Sequence, residues 1–365
     1  MAERGARPKV SRGRLLLLRA LRHLFTPLRP DDYLELINPL WTTRELRGRV
    51  EKVVPEGAYA ASVFIRPGYE WGGHRPGQYV RLGVLINGVF HWRAYSLTSD
   101  PDAADGLISV TPKLVENGVV SPYLVRAIRP GEVVRLGEVE GVFTLPEPAP
   151  AKLLFLSAGS GITPIASMLR SLDRRGALGD VVVSHSARTA EQVMFAGLLR
   201  DLDRRHSGLR LDIRLTGERG RLTPGELDTL CPDWREREAF CSGPPAMLDA
   251  LTEHWNTHGN PDKLHMERFQ PIIGGAEGGG QGGLVHFQRS GVDAECDGST
   301  PILVAGERAG LDLRHGCRIG ICHTCTGVLR SGKLRDLRSG EVGEPTGRAV
   351  RICVNTAEGD IEIEL

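Results

Sequence analysis

The residues best suited to chemistry in this chain are four cysteines in its C-terminal part. Three of them follow the spacing C-x4-C-x2-C: Cys317, Cys322 and Cys325. The fourth, Cys353, lies further along the chain. Thiolates with this spacing bind the two irons of a [2Fe–2S] cluster. A structural zinc site usually has two C-x2-C pairs, and a disulfide framework is typical of small secreted domains, so these alternatives are weaker. The spacing therefore predicts a one-electron centre.

The composition indicates a multidomain protein of a reducing compartment, which we take to be the cytoplasm. The chain has 365 residues and seven cysteines, an odd number with no short secreted scaffold around it. Hydrophobic residues make up 41% and supply packed cores for two or three domains. A formal net charge of +1 argues against nucleic acid as a general partner. We interpret Cys231, Cys241 and Cys296 as small buried residues.

Residues 1–46 are predicted to form a basic N-terminal extension. Residues 1–30 contain eight Lys or Arg and one acid, and leucines alternate there with arginines in the pattern of an amphipathic helix. This helix either packs on its own protein or docks on an anionic membrane surface. Arginines interrupt the apolar stretch, which is too short to span a bilayer, so we expect neither a signal peptide nor a transmembrane helix.

Residues 47–148 are predicted to form a closed antiparallel β-barrel. Glycine, proline and asparagine separate six short runs rich in β-branched residues, namely 49–54, 60–65, 78–84, 89–97, 107–111 and 133–136. Asn87 and Gly88 lie between two of these runs and indicate a hairpin turn. Six short strands without a long helical pattern favour a barrel.

Polar residues at one end of this barrel are suited to bind a flat ring and a diphosphate. One strand ends in Arg93, Tyr95 and Ser96. They offer a guanidinium for a diphosphate, an aromatic face for a ring and a hydroxyl for a ring nitrogen. Lys113 follows, and a turn from Gly118 to Ser121 precedes a predicted helix start, where free N–H groups can bind phosphate oxygens.

Residues 149–270 alternate between strand and helix, which predicts a parallel sheet covered by helices on both faces. Strands are expected at 152–156, 181–184, 209–215, 238–240 and 263–266, with helices from Pro164 to about 172, at about 190–204 and at 245–255. The first strand leads into a turn that contains Gly159, Gly161 and Thr163. Ser242, Gly243 and Pro244 follow the fourth strand, at the carboxyl edge where such sheets bind ligands.

Together these motifs resemble the ferredoxin–NADP reductase superfamily over roughly residues 48 to 269. The resemblance implies that the barrel binds FAD, through its G-x-x-S turn, although related reductases with a C-terminal ferredoxin use FMN. It also implies that the G-S-G-I-T-P and C-S-G-P-P segments bind the nicotinamide nucleotide. Where the superfamily has the cysteine of a C-G-P motif, this chain has Ser242, and Cys241 lies one residue earlier.

The same resemblance assigns roles around the hydride step. It implies that Tyr95 stacks on the flavin ring, that Ser96 lies near flavin N5, and that Ser242 belongs to the catalytic group. It further implies that Glu267 and Phe269 close the other face of the flavin, with a plain surface pair as the alternative.

The residues after the second strand of the nucleotide domain predict NADPH as the coenzyme, with NADH as the alternative. Ser186 and Arg188 lie there, and the segment has no acid that could hold a ribose 2′-hydroxyl. A hydroxyl and a guanidinium suit a 2′-phosphate, and Arg219 or Arg221 could assist. An exposed arginine without a ligand is the alternative.

The remaining part of the chain is predicted to be a glycine-rich linker, residues 271–283, and a domain at 284–365. The linker is either a passive spacer or a tether that lets the last domain move. The domain resembles a plant-type β-grasp ferredoxin, with strands at 285–288 and 361–365 around one helical stretch.

The combined resemblance implies a single-chain reductase that feeds an oxygenase or a desaturase. Electrons would pass from NADPH to FAD, then to [2Fe–2S] and to an external acceptor, because a hydride carries two electrons and the cluster accepts one. Residues 28–41 resemble the lead-in of actinobacterial reductases that serve membrane-bound acyl desaturases such as stearoyl-CoA 9-desaturase, and residues 1–30 would add peripheral membrane contact. The alternatives are a Rieske ring-hydroxylating oxygenase, a diiron hydroxylase or a cytochrome P450 as acceptor, a diaphorase-like enzyme with a small acceptor, and an iron–sulfur redox sensor.

Overall fold

The computed structural model describes residues 30–42, 44–115, 118–269, 280–314, 320 and 324–365. The amphipathic helix predicted within residues 1–30 therefore lies outside the described residues, as do Cys317 and Cys322. The chain forms two compact units. The first contains the barrel and the parallel sheet, and the second contains the C-terminal domain.

The first sheet is antiparallel and closes into a barrel. Its strands are β1 (Arg47–Pro55), β2 (Ala61–Pro67), β3 (Tyr79–Ile86), β4 (Val89–Ser96), β5 (Ile108–Val110) and β6 (Val133–Glu140). Their order is β4-β3-β6-β1-β2-β5, and Leu97, just after β4, forms a β-bridge with Val110 of β5. This bridge joins the two edge strands, so the predicted barrel is confirmed.

Short helical segments precede and interrupt the barrel. They are the helix Pro30–Ile37, the 3-10 helix Pro39–Trp41, the helix Val120–Pro122 and the π-helix Tyr123–Ala127. No helix in the part of the chain that the structure describes is long and apolar enough to cross a membrane.

The second sheet has five parallel strands, which confirms the predicted α/β domain. They are β7 (Leu153–Ala158), β8 (Val181–Ala187), β9 (Leu209–Leu215), β10 (Glu238–Ser242) and β11 (Leu264–Glu267), in the order β11-β10-β7-β8-β9. Its α-helices are Ile162–Arg174, Ala196–Arg205, Thr216–Arg219, Leu227–Leu230 and Pro245–His258. The 3-10 helices are Gly159–Gly161, Ala190–Gln192, Pro224–Glu226, Trp234–Glu236 and Pro261–Lys263.

The helix predicted at about 190–204 begins later than its pattern indicates. Ala190–Gln192 is a separate 3-10 turn, and Phe195 adopts a left-handed conformation with φ 56°. A right-handed helix cannot continue through such a residue. The helix therefore starts at Ala196.

Side chains of β7 pack alternately on the two faces of this sheet. Leu153 and Phe155 belong to one buried cluster, and Leu154 and Leu156 belong to another that includes Trp234. A parallel strand buried on both faces reads as a continuous apolar run, which is why residues 152–156 were recognisable as a strand.

The helix Ile162–Arg174 attaches the parallel sheet to the barrel. Ser167 Oγ donates a hydrogen bond of 2.7 Å to the Ser99 carbonyl, and Arg170 donates to the Thr98 carbonyl. Arg174 Nη2 lies 2.6 Å from Asp102 Oδ2. Because this helix begins at the turn after β7, these bonds also fix that turn relative to the barrel.

The C-terminal domain is a mixed sheet with one described α-helix, Ile302–Arg308. Its strands are β12 (Gly280–Phe287), β13 (Val292–Gly298), β14 (Thr326–Asp336), β15 (Val342–Gly343), β16 (Ala349–Arg351) and β17 (Asn355–Glu364). The order is β13-β12-β17-β14-β15, with β16 paired to β14. Strands β12 and β17 are parallel, and the other pairs are antiparallel.

The predicted linker ends too late, since β12 begins at Gly280, inside the segment 271–283. A Cβ atom on Gly283 would collide with the Gly359 carbonyl. The last glycines of the run therefore permit close strand contact, a use that composition alone cannot distinguish from flexibility.

Candidate functional site

The parallel sheet changes direction between β7 and β10, and the candidate site lies at this point. From β7 the chain builds β8 and β9 on one side, and then β10 and β11 on the other. Open α/β sheets bind ligands beyond the carboxyl ends of the strands at such a switch point. Two turns emerge there, Gly159–Gly161 after β7 and Ser242–Gly243 after β10.

The two turns are in direct contact through their glycines. A Cβ atom on Gly161 would collide with the Ser242 carbonyl. A Cβ on Gly243 would lie 3.3 Å from the Ala158 Cβ. Thr163 Oγ1 donates to the Ser160 carbonyl at 2.8 Å, so this side chain stabilises the first turn. The close approach leaves backbone N–H groups at the start of the helix Ile162–Arg174, a position suited to a pyrophosphate.

A row of polar residues crosses the sheet behind these turns. The strand register places Glu267 beside Ser242, Ser242 beside Ser157, and Ser157 beside His185. Ser157 Oγ and His185 Nδ1 are 2.9 Å apart and share a hydrogen bond. Ser242 is fully buried, and its Oγ has no hydrogen-bond partner among the described residues. A buried hydroxyl without a partner fits a site that receives a polar ligand group.

Burial sets the protonation states in this row. Desolvation raises the pKa of Glu267 to about 7 and raises the pKa of the Cys241 thiol. Desolvation, together with a smaller contribution from the positive charge of Lys113, lowers the pKa of His185 to about 4. At neutral pH His185 is therefore neutral and Cys241 is a thiol. The Glu267 carboxyl can hold or release a proton.

Lys113 brings a positive charge from the barrel to the first glycine turn. Its backbone forms a β-bridge with Ala60. Its Nζ lies 3.8 Å from the place that a Cβ on Gly159 would take. An ammonium group beside free backbone N–H groups increases the attraction of this turn for phosphate.

The predicted coenzyme-selecting residues lie at the end of β8. Ser186 is 6% exposed, whereas the side chain of Arg188 is exposed. The Arg188 carbonyl accepts a hydrogen bond of 3.0 Å from the N–H of Gly217. The segment that carries Arg219 and Arg221 is therefore attached beside Arg188.

Arg214, which the sequence analysis did not single out, organises this segment from inside. It is 5% exposed and donates to the carbonyls of Arg219 and Gly220 at 3.0 and 2.8 Å. Its Nη2 also lies 2.8 Å from Glu226 Oε1. Arg219 itself forms an ion pair with Asp212, which partly offsets its charge.

The predicted flavin residues lie on β4 and on the turn after β5. Tyr95 packs against the barrel core, and Ser96 is 7% exposed. Arg93 Nη1 donates to the carbonyl of Trp92 at 2.8 Å. Ser121 Oγ accepts a hydrogen bond from the N–H of Val115 at 3.1 Å, so this hydroxyl closes the turn.

The other half of that turn depends on Gly118, because a Cβ there would lie 3.2 Å from Ser121 Oγ. Residues 116–117, between Val115 and Gly118, lie outside the described part.

Two further predicted site residues lie next to these elements. Pro244 directly precedes the helix Pro245–His258, and Phe269 is a half-buried residue two positions after Glu267.

The described part of the iron–sulfur site contains two of the four predicted ligands. Cys325 and Cys353 are 1% and 2% exposed, and the N–H of Ile352 donates to the Cys325 carbonyl at 3.0 Å. The N–H of Gly320 donates to Cys353 Sγ at 3.2 Å. Two buried cysteines, one of whose sulfur atoms accepts a backbone N–H bond, fit the donor set of an iron–sulfur cluster.

The hydrogen-bonded pair Ser157–His185 was missed by the sequence analysis. Each residue is polar and lies near the carboxyl end of an otherwise apolar strand. That interruption was the available signal, but only the register of β7 against β8 shows that the two residues face each other.

The fold and the site define a flavin- and iron–sulfur-dependent oxidoreductase, and comparisons with known proteins agree. The model described as oxidoreductase FAD-binding domain matches residues 72–144, and the 2Fe-2S iron-sulfur cluster binding domain matches residues 285–357. An NADPH oxidoreductase of Mycobacterium tuberculosis is 46% identical over 345 residues, covering 93% of this chain and 90% of the relative.

Two further similarities are more distant. The glycine betaine monooxygenase reductase subunit of Pseudomonas aeruginosa is 28% identical over 80% of this chain and 87% of the relative. The structure of phthalate dioxygenase reductase, described as modular for electron transfer from pyridine nucleotides to [2Fe-2S], has a TM-score of 0.59 at 21% identity. It covers 88% of this chain and 98% of that one, and shows the same fold.

This chain belongs to the family of oxidoreductases that join an FAD-binding oxidoreductase domain to a C-terminal 2Fe–2S domain. The predicted fold class and enzyme class are confirmed.

Proposed function

We propose that this protein is an NADPH-dependent reductase that passes electrons through FAD and a [2Fe–2S] cluster to a terminal oxygenase. The observation that carries the proposal is the contact of Gly161 with Ser242 at the switch point of the parallel sheet. This contact supports the proposal, because two glycine turns meet at the carboxyl edge of the sheet, a position suited to a dinucleotide pyrophosphate, beside a barrel of the FAD-binding family.

The residues proposed to hold the cofactors fall into three groups. For FAD they are Arg93, Tyr95, Ser96, Lys113, Gly118 and Ser121, with Glu267 and Phe269 on the other face. For the nicotinamide nucleotide they are Gly159, Gly161, Thr163, Ser186, Arg188, Ser242, Gly243 and Pro244. For the cluster they are Cys317, Cys322, Cys325 and Cys353.

In this site the protein would hold and orient the cofactors, and bound FAD would supply the chemistry that converts a hydride into single electrons. The buried Ser242 hydroxyl and the Glu267 carboxyl would orient the nicotinamide end of the coenzyme. Because Glu267 titrates near neutral pH, its carboxyl can hold a proton at this point. The half-buried Tyr95 would cover one face of the flavin ring and exclude water from it.

NADPH rather than NADH is supported by charge at the end of β8. Arg188 is exposed and its neighbour Ser186 is polar, as a 2′-phosphate requires. The relative from Mycobacterium tuberculosis is named an NADPH oxidoreductase. Measuring kcat/KM for both coenzymes tests this choice, and equal values would refute it.

For the acceptor, we propose a membrane-bound acyl desaturase, with the reductase in the cytoplasm and peripherally bound at the membrane. The support is the resemblance of residues 28–41 to the lead-in of reductases that serve membrane-bound acyl desaturases, together with the basic charge of residues 1–30. The helix Pro30–Ile37 presents Leu36 and Ile37, which are 81% and 72% exposed. Exposed apolar side chains beside a cationic segment suit a membrane or a membrane-bound partner.

The second candidate acceptor is a soluble oxygenase, because one relative is the reductase subunit of a glycine betaine monooxygenase. Reconstitution distinguishes the two. The purified reductase with NADPH should drive acyl-chain desaturation by a cognate desaturase in liposomes, in a salt-sensitive manner that is lost on deletion of residues 1–30. Efficient turnover of a soluble oxygenase without any desaturation would favour the second candidate.

We further propose that the domains extend over residues 1–46, 47–148 and 149–270, with a linker that ends before Gly280 rather than at 283. Limited proteolysis should cut first between residues 270 and 280 and release a fragment that contains iron.

A further inference from the structure

We infer that Arg351 is a positioning residue of the iron–sulfur site and that its positive charge raises the reduction potential of the cluster. The inference rests on the proposed function in one respect, namely that the four cysteines bind a [2Fe–2S] cluster.

Strand pairing fixes the backbone of Arg351 between two of the proposed ligands. Arg351 is the last residue of β16, and its partner on β14 is Thr326. Cys325 directly precedes Thr326, and Cys353 lies two residues after Arg351. The sheet therefore holds the Arg351 backbone close in space to Cys325 and close in the chain to Cys353.

The Arg351 side chain binds Gly320, the residue whose N–H contacts the sulfur of Cys353. Its Nη1 donates to the Gly320 carbonyl at 2.7 Å, and the N–H of Gly320 donates to Cys353 Sγ at 3.2 Å. The guanidinium and the Cys353 sulfur are thus bound to the carbonyl oxygen and the N–H of the same glycine. Gly320 has φ 75°, and a Cβ there would lie 2.8 Å from Val354 Cγ2, so its place is tightly defined.

The charge of Arg351 is not offset by an ion pair within the described part of the chain. Among the residues that the structure describes, no Asp or Glu forms an ion pair with it. By contrast, Arg330 pairs with Glu364, Arg335 with Glu358 and Arg338 with Asp336. Arg351 is half-buried, where solvent screens a charge less than at the surface.

A nearby cation favours the reduced cluster. Reduction adds one electron and hence one negative charge, which a positive charge stabilises more than the oxidised form. The hydrogen bond to the sulfur, which Arg351 keeps in place through Gly320, acts in the same direction. Arg351 therefore makes the cluster a better electron acceptor within the chain.

The matched control is Arg330, an exposed arginine of the same domain. It lies four residues beyond Thr326 on β14, roughly 13 Å along the strand, and its charge is offset by Glu364. Arg330→Gln changes the net charge as Arg351→Gln does. Arg351→Lys keeps the charge and loses the planar guanidinium.

The experiment is an EPR-monitored redox titration of the full-length holoenzyme, with iron and acid-labile sulfide measured in every sample. We expect Arg351→Gln to lower the midpoint potential of the cluster by at least about 59 mV, which for one electron corresponds to a tenfold change in the equilibrium constant for reduction. Arg351→Lys should stay near the wild-type potential, and Arg330→Gln should show no shift.

Three results would overturn the inference: an unchanged potential in a fully loaded Arg351→Gln protein, an equal shift in Arg330→Gln, or an Arg351→Gln chain that cannot be loaded with iron and sulfide. The last result would mean that Arg351 is needed for assembly of the cluster rather than for its potential. Absence of iron and sulfide from the wild-type protein would refute the proposed cluster itself, which is a separate outcome.

Discussion

Gly161 and Ser242 touch through their backbones, so that the turn after β7 and the turn after β10 form one surface. A Cβ atom on Gly161 would collide with the Ser242 carbonyl, and the neighbouring backbone would have to move. The glycine is therefore required by contact between two strands of the sheet that are far apart in the chain.

Gly161→Ala should weaken coenzyme binding by displacing one turn from the other. We expect kcat/KM for NADPH to fall about tenfold or more, since a displaced catalytic contact commonly costs at least that much. FAD content and iron content should stay normal. Gly197→Ala is the control, because a Cβ there meets open space at an exposed position in the helix Ala196–Arg205. Equal kinetics of the two variants would contradict the prediction.

Glu267→Gln should change how stability depends on pH. The pKa of Glu267 in the folded protein, about 7, lies above its ordinary value of 4.5. The folded state therefore binds the proton more tightly than the unfolded chain, and this carboxyl lowers stability progressively as pH rises from 4.5 to 7. Glutamine removes that loss.

The measurement is the thermal midpoint of both proteins between pH 5 and pH 8. The advantage of Glu267→Gln over the wild type should grow as the pH rises. Glu253→Gln, at an exposed position of the helix Pro245–His258, is the control and should show a constant difference. A constant difference for Glu267→Gln as well would exclude a raised pKa.

Ser157→Ala should destabilise the parallel-sheet domain, because it removes the partner of the buried His185 Nδ1. Leaving such a group unsatisfied costs about 1–3 kcal/mol. Ser171→Ala is a matched control, since Ser171 is fully buried and its Oγ has no partner among the described residues. Thermal unfolding should show a lower midpoint for Ser157→Ala and an unchanged or higher one for Ser171→Ala. The reverse order would count against the hydrogen bond.

Arg188→Ala should reduce the preference for NADPH. Loss of a charged hydrogen bond to a 2′-phosphate costs about 1.5–3 kcal/mol, roughly a tenfold to hundredfold fall in kcat/KM. The value for NADH should not change. Arg200→Ala, at an exposed position of the helix Ala196–Arg205, tests for a general charge effect. An equal fall in kcat/KM for both coenzymes would mean that Arg188 does not bind the 2′-phosphate.

Cys353→Ser should separate the two halves of the enzyme. It removes one proposed cluster ligand, so iron and sulfide should be lost along with reduction of a protein acceptor, while NADPH-dependent dye reduction continues. Cys296→Ser is the control: Cys296 is buried in the same domain, but its Sγ lies 3.0 Å from the Thr300 carbonyl and outside the C-x4-C-x2-C pattern. Retention of a full cluster in Cys353→Ser would refute its role as a ligand.

The sequence by itself determined the local features of this protein. The apolar run at 152–156, the glycine turn after it and the β-branched runs of the barrel predicted both sheets, because strand patterns and turn residues act over a few positions. The spacing of Cys317, Cys322 and Cys325 predicted a cluster for the same reason.

Only the tertiary structure decided which of these features meet. The register of β7, β8, β10 and β11 brings Glu267, Ser242, Ser157 and His185 into one row, and a shift of one residue would turn each side chain to the other face. The raised pKa of Glu267 arises from burial by elements distant in the chain. The start of β12 at Gly280 depends on pairing with Gly298 of β13, and the bond from Arg351 to Gly320 joins residues 31 positions apart. Such contacts are set by packing between segments, which no local pattern encodes.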